Sequence, residues 1–130
     1  MSKVRIVVGL PGSGKTHYAK EHPFGILFDD PAASPDTFYE LKSAILSGLD
    51  VTITDVYSID AQARTITLTT LKKWDLDVKV EWIFFENDPQ ACIANIERRK
   101  DDRIVSPEFV NEASHYYNFP EGAVIIPVYK

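Results

Sequence analysis

One cysteine and one methionine among 130 residues is a thin supply of sulfur. A single thiol cannot close an internal disulfide, so stability must come from packing, and a reducing, cytoplasmic setting is expected. No apolar run approaches the roughly 20 residues that a membrane-spanning helix needs, and the N-terminus reads as a strand rather than a signal peptide. A basic excess is also missing: 14 Lys and Arg stand against 19 Asp and Glu, a net charge of −5. That balance argues against a general nucleic-acid binder and leaves room only for a local basic groove around one strand end. His17, His22 and His115 lack metal-ligand spacing and partner cysteines, which argues against a zinc site. Repeats, low-complexity tracts and linkers are absent too. With 45% hydrophobic and 25% charged residues, the chain reads as one compact domain spanning 1–130.

The periodicity alternates between strand and helix. Lys3–Val8 is a short, β-branched first strand bounded by glycine, and a helix is expected from Gly14 to Glu21. Gly25–Phe28 reads as the second strand, running into Asp29-Asp30. Ser34-Pro35 is an N-cap with proline at the first helical position, and Phe38, Leu41 and Ile45 follow at helical spacing until Gly48. Val51–Thr54 is the third strand. Asp60–Trp74 alternates like a strand at Thr65-Ile66-Thr67-Leu68-Thr69 yet also fits a helix face. Helix is chosen because parallel neighbours need a crossover there. Val78–Phe85 is the most apolar strand and is expected at the sheet's centre. Asp88-Pro89 and Ser106-Pro107 cap two more helices, the second with Phe109, Val110, Ala113, Tyr116 and Tyr117 spaced to pack. Ala123–Ile126 is the last strand, at a margin because Pro127 interrupts pairing. The pattern predicts an α/β fold with a parallel sheet covered on both faces.

Gly9-Leu-Pro11-Gly12-Ser13-Gly14-Lys15-Thr16 fits the phosphate-binding pattern G-x-x-x-x-G-K-[ST] between a strand and a helix. Gly9, Gly12 and Gly14 permit backbone angles that turn successive N–H groups toward a phosphate, and the following helix adds its partial positive end. Lys15 is expected on the β- and γ-phosphates, and the Thr16 hydroxyl on Mg²⁺. Asp55 ends a strand expected beside the loop strand, where a carboxylate meets Mg²⁺ or its waters. Asp29 and Asp30 close the second strand, and one of them is a candidate to accept a proton from an attacking hydroxyl. The one basic run, Asn95 to Arg103, reads equally as a solvated helix end or as charge for a transferring phosphoryl group. Cys92 reads as core. Tyr116, Tyr117 and Tyr129 read as core or rim, with a base pocket as the minor alternative.

Together, the glycine loop, Phe28-Asp29-Asp30, Thr54-Asp55 and Asp88-Pro89…Asn95-Ile-Glu-Arg98 resemble the P-loop kinases around phage polynucleotide 5′-kinase and the zeta-toxin-like group. Val105-Ser106-Pro107-Glu108-Phe109-Val110…Tyr116-Tyr117 extends the resemblance to a helix that follows the lid. It implies a three-layer fold with strand order 2-3-1-4-5. It also implies ATP and Mg²⁺ on Lys15 and Thr16, Asp29 as general base, Asp55 as the metal- or substrate-side carboxylate and Arg98 as a lid arginine. Arg103 is expected on the nucleotide. Ala94 stands where the family often has a second lid arginine, and Pro31-Ala32-Ala33 where it tends to place an arginine for an acceptor phosphate.

The resulting expectation is a small kinase that moves the ATP γ-phosphoryl group to a hydroxyl or phosphate acceptor, with a nucleotide or polynucleotide 5′-end favoured by the resemblance. The alternatives are an NTPase or nucleotide-dependent switch acting on a protein partner, and a non-catalytic nucleotide-binding module.

Overall fold

The computed structural model of the chain describes residues 2–56, 58–99 and 105–129, apart from the side chain of Ala32. Five parallel strands, β1 (Lys3–Val8), β2 (Ile26–Asp29), β3 (Val51–Asp55), β4 (Lys79–Phe85) and β5 (Val124–Ile126), form one sheet in the order β2-β3-β1-β4-β5. Among the described residues five α-helices, besides a short 3-10 turn at Pro31–Ala33, connect them: α1 (Lys15–Glu21), α2 (Pro35–Leu46), α3 (Ala61–Trp74), α4 (Pro89–Arg98) and α5 (Pro107–His115). The architecture is the α/β P-loop fold expected from the sequence, including its strand order. The middle strand is β1, and β4, expected to be central, is an interior strand between β1 and β5. The reason lies in side chains: Ile6, Val7 and Val8 are fully buried, whereas the first half of β4 carries the exposed Lys79 and Glu81. Two apolar layers sandwich the sheet. Ile6, Val8, Phe28 and Phe84 pack with Leu41 and Ile45 of α2 and Leu71 of α3. Val7, Ile83 and Phe85 pack with Cys92 of α4 and Val110 of α5.

Helix starts follow local chemistry. The backbone amides of Thr37, Ala63, Ala91 and Phe109 donate to the side chains of Ser34, Asp60, Asp88 and Ser106, so four helices carry the cap read from the sequence. The threonine-rich α3 remains helical because Thr65, Thr67, Thr69 and Thr70 each donate to the carbonyl four residues back. Those bonds occupy hydroxyls that otherwise compete with the backbone. Helix α5 is shorter than its apolar spacing predicts. It ends at His115, leaving Tyr116 exposed, while Tyr117 still reaches the Phe85 carbonyl and Phe109 is half-exposed. Among the described residues no helix is long and apolar enough to cross a membrane.

Sheet order fixes what meets at the carboxyl ends of the strands. Asp29 pairs with Thr54, and Asp55 with Val8, the residue before the glycine loop. Carboxylates from β2 and β3 therefore gather on one side of the loop, while α4 and its arginines leave β4 on the other.

Candidate functional site

The glycine loop turns at Gly12 and Gly14, with φ of 85° and 106°. That left-handed backbone is costly for side chains with a Cβ, and at both positions there is also no room for one. A Cβ on Gly12 would lie 2.5 Å from the Cys92 carbonyl oxygen, and one on Gly14 would lie 2.7 Å from Cβ of Tyr129. The loop is thus wedged between α4 and the segment after β5. Further bonds hold it there. Asn95 donates to the carbonyls of Gly12, at 2.9 Å, and Tyr129, while the Tyr129 amide donates to the Ser13 carbonyl. Arg98 donates in turn to the Asn95 side-chain oxygen.

Above the loop opens a cavity of about 700 Å³. Of the residues expected from the sequence, Pro11, Gly12, Gly14, Lys15, Thr16, Asp29, Asp55 and Arg98 all line it. Gly9 and Ser13 lie beneath, fully enclosed, and a Cβ on Gly9 would run into the Ser13 hydroxyl. Arg103 falls outside the described residues. Arg98 and Arg99 both reach the cavity because α4 stops between them: Arg99 is extended, with φ of −70° and ψ of 140°.

Lys15 folds over the loop, donating to the carbonyls of Gly9 at 3.2 Å and Leu10 at 3.0 Å. Burial lowers its ammonium to about 8, against the opposing pull of Asp55, Asp29 and Asp30. The Thr16 hydroxyl, expected beside Asp55, donates instead to Asp29 at 3.0 Å. Thr54 also donates to that Asp29 oxygen and accepts from the Asp30 amide at 3.0 Å. Asp29 is thereby fixed by two hydroxyls. The Asp55 carboxylate accepts from Ser58. Arg64, buried in α3, donates to the carbonyls of Ser58 and Asn118, which fastens the β3–α3 turn to the segment after α5.

Asp30 is the one described non-glycine residue in the left-handed region, at φ 48°. Its Oδ1 is enclosed without a hydrogen-bond partner, and burial, reinforced by Asp55 and Asp29, raises its carboxyl above the usual range. A carboxylate of raised proton affinity on a strained backbone at a cavity wall is a candidate proton acceptor. The adjacent-acid pattern drew attention to both residues. It carried no signal for the φ that separates their environments.

The residues fit a nucleoside triphosphate with a divalent cation. The loop is a cradle that a Cβ would fill, with an ammonium over it and a hydroxyl–carboxylate pair at its helix end. Among the described residues no group of three or more His, Cys, Asp or Glu is placed to hold a metal by itself. Magnesium suits such a site, since it is bound through one or two carboxylates together with substrate phosphates.

No family model matches the chain. Solved structures similar to it are a gluconokinase from Sinorhizobium meliloti 1021 and a sugar kinase from Janibacter sp. HTCC2649. The first has a TM-score of 0.61 at 14% identity, covering 98% of this chain and 83% of that one. The second has a TM-score of 0.60 at 12% identity, covering 98% and 84%. At such identities the likeness is one of fold: that of P-loop kinases. Among curated proteins, uncharacterized protein R277 of Acanthamoeba polyphaga mimivirus is 30% identical over 122 residues, spanning 87% of this chain and 84% of that protein. The chain belongs to the family of mimivirus protein R277 and has the fold of the P-loop kinases.

Proposed function

We propose that the chain is a small ATP-dependent phosphotransferase that moves the γ-phosphoryl group from ATP·Mg²⁺ to a hydroxyl. The observation that carries this reading is a single cavity joining the glycine loop, Lys15 and three strand-end carboxylates. A pure binding module has no use for a strained acid of raised proton affinity opposite its phosphate cradle.

In this reading the loop amides and the start of α1 hold the phosphates, with Lys15 as a point charge. Thr16 and Asp29, hydrogen-bonded to each other, would hold Mg²⁺, with Asp55 beside them on the next strand. Bound there, the metal would neutralise charge on the transferring group. Asp30, which lines the cavity, takes the proton of the attacking hydroxyl, the role that the resemblance assigned to Asp29. Arg98, anchored through Asn95 to the loop, presents its guanidinium to charge that develops during transfer. Phosphoryl transfer asks for little else, since positioning and charge supply most of the rate.

The test is transfer from γ-labelled ATP with Mg²⁺ to a panel of nucleosides, nucleoside monophosphates, sugars and a 5′-hydroxyl oligonucleotide, beside an acceptor-free lane. Label on an acceptor supports the proposal. Label released only as free phosphate favours an NTPase or a switch acting on a protein partner. Tight nucleotide binding without either product favours a binding module.

A further inference from the structure

Among the described residues the fold leaves the rings of Phe38, Tyr39, Phe109, Tyr116, Phe119 and Tyr129 exposed. Single exposed rings are ordinary surface features. Of these, however, only Phe109 and Tyr129 line the cavity above the glycine loop. Tyr129 already has a neighbour in His17 of α1, with ring centroids 4.1 Å apart. Phe109, in the first turn of α5, is 48% exposed although Val110 beside it is fully buried. Among the described residues no other ring pairs with it. Val56 and Val105 line the same cavity and add aliphatic surface.

The two rings belong to different flanks. Asn87, after β4, donates to the Ser114 carbonyl at 2.9 Å, and the Asn118 amide donates to the Ile59 carbonyl at 2.8 Å. Those bonds lay α5 across the carboxyl end of the sheet, from β4 toward the turn after β3 that carries Val56. The end of β3 in turn holds Asp30, whose amide donates to the carbonyl and the hydroxyl of Thr54. Tyr129 instead follows β5, at the edge of the sheet farthest from β2, and rests against Gly14.

The function proposed above, on which this step rests, holds the triphosphate on the loop and passes the acceptor's proton to Asp30. Attacking and leaving oxygens lie roughly in line in phosphoryl transfer, so nucleotide and acceptor take opposite sides of the γ-phosphorus. Phe109 and Val56 share the flank of Asp30, which is the acceptor's. A phenyl ring offers no hydrogen bond, only apolar area and a π-face on which another flat ring stacks. A bare polyol laid there loses hydration from its hydroxyls without gaining a partner.

We infer that Phe109, flanked by Val56 and Val105, is a subsite for a flat aromatic ring carried by the acceptor, which makes the substrate a ring-bearing alcohol rather than a bare polyol or sugar. With the ring laid on Phe109, the acceptor oxygen forms a bond to the γ-phosphorus, the bond from that phosphorus to the β–γ bridging oxygen breaks, ADP leaves, and the hydroxyl proton passes to Asp30.

The experiment uses acceptors in pairs that differ only in the ring: uridine and methyl riboside, phenyl glucoside and methyl glucoside, and a 5′-hydroxyl oligonucleotide beside the same strand with an abasic 5′ residue. The pair that responds identifies the source of the ring. Transfer from γ-labelled ATP is scored for the full chain and for Phe109→Ala, Phe109→Leu and Phe109→Tyr. The ring-bearing member of at least one pair is expected to have a kcat/KM at least about tenfold above its partner's. Phe109→Ala is expected to narrow that ratio about fivefold or more, the change falling on KM of the ring-bearing member, and Phe109→Tyr to preserve it. Phe109→Leu, apolar but without a ring, carries the same test if alanine there fails to fold. Equal labelling within every pair overturns the inference and leaves the kinase reading intact. So does a ratio that Phe109→Ala and Phe109→Leu leave unchanged, because the preference then has another origin. No label on any acceptor, with ATP bound, overturns the kinase reading and this inference with it.

Discussion

Two glycines with nearly the same backbone angle separate the strain of a left-handed residue from the crowding of the phosphate cradle. Gly122 has φ of 79° and nothing within 4 Å of a Cβ built on it. Gly12 has φ of 85°, and its Cβ would meet the Cys92 carbonyl oxygen at 2.5 Å and Cγ1 of Ile96 at 2.8 Å. The left-handed conformation costs an alanine about 1–2 kcal/mol. The smaller entropy of its unfolded chain returns about 0.4–1 kcal/mol. Gly122→Ala is therefore expected to lose about 1 kcal/mol, the net of those two terms. Gly12→Ala carries the same terms plus overpacking of about 1–3 kcal/mol, because Cys92 is fully buried and α4 has to shift to make room. A total loss of about 2–4 kcal/mol is expected. Denaturant unfolding of both variants, compared at constant m-value, measures the difference. Calorimetric titration with ATP and Mg²⁺ supplies the functional arm. Gly122→Ala should bind like the parent, while Gly12→Ala should lose most of its affinity, since the shift also disturbs the bond from Asn95 to the Gly12 carbonyl. Equal destabilisation by the two substitutions would refute the claim that the loop is wedged against α4.

Lys15 gives a pH signature. With its ammonium lowered to about 8 from 10.5, the unfolded chain holds this proton between those values and the nucleotide-free folded chain does not. The group's contribution therefore makes the folded state more stable as pH rises across that window. Nucleotide binding runs the other way: affinity should fall roughly tenfold from pH about 7 to about 9, with proton uptake approaching one, read by calorimetry in buffers of different ionisation enthalpy. Flat affinity and no proton uptake would contradict the buried environment of Lys15. Asp30→Asn is expected to leave ATP binding near the parent value and to lower transfer by about 100-fold or more, and Asp29→Asn to raise the Mg²⁺ concentration needed for half-maximal rate. The opposite pattern would return the base to Asp29. Arg64→Met should destabilise by about 2–4 kcal/mol, because the Ser58 and Asn118 carbonyls lose their shared donor, with partial recovery in Arg64→Lys.

The sequence made the fold legible because its signals were local and agreed with one another. Four caps, a glycine loop between strand and helix, and runs of β-branched residues each specify a short piece of chain, and parallel connections leave few ways to join them. Apolar content marks β4 as an interior strand, which it is, between β1 and β5, while the middle position of β1 followed only from the strand order that the resemblance implied. The flanking of β1 on both sides follows from pairing, which a single strand does not encode. The helix end at His115 was missed because helical spacing continued into Tyr116 and Tyr117, although only Tyr117 has a surface to pack on.

The candidate site divides in the same way. Lys15 and Thr16 were legible from a contiguous motif, since their chemistry depends on neighbours in sequence. Asp29 and Asp30 were legible as a pair but not as individuals. What distinguishes them is φ at Asp30 and a hydroxyl that Thr54 donates to the Asp29 carboxylate from 25 residues away. Asn95 joins Gly12 to Tyr129 across separations of 83 and 34 residues, and Arg64 reaches Asn118 across 54. Bonds of that range leave no period or spacing to read. The gathering of the strand-end acids is of this kind as well. The formal charge of −5 describes the whole chain, whereas the strand order decides which wall receives the acids.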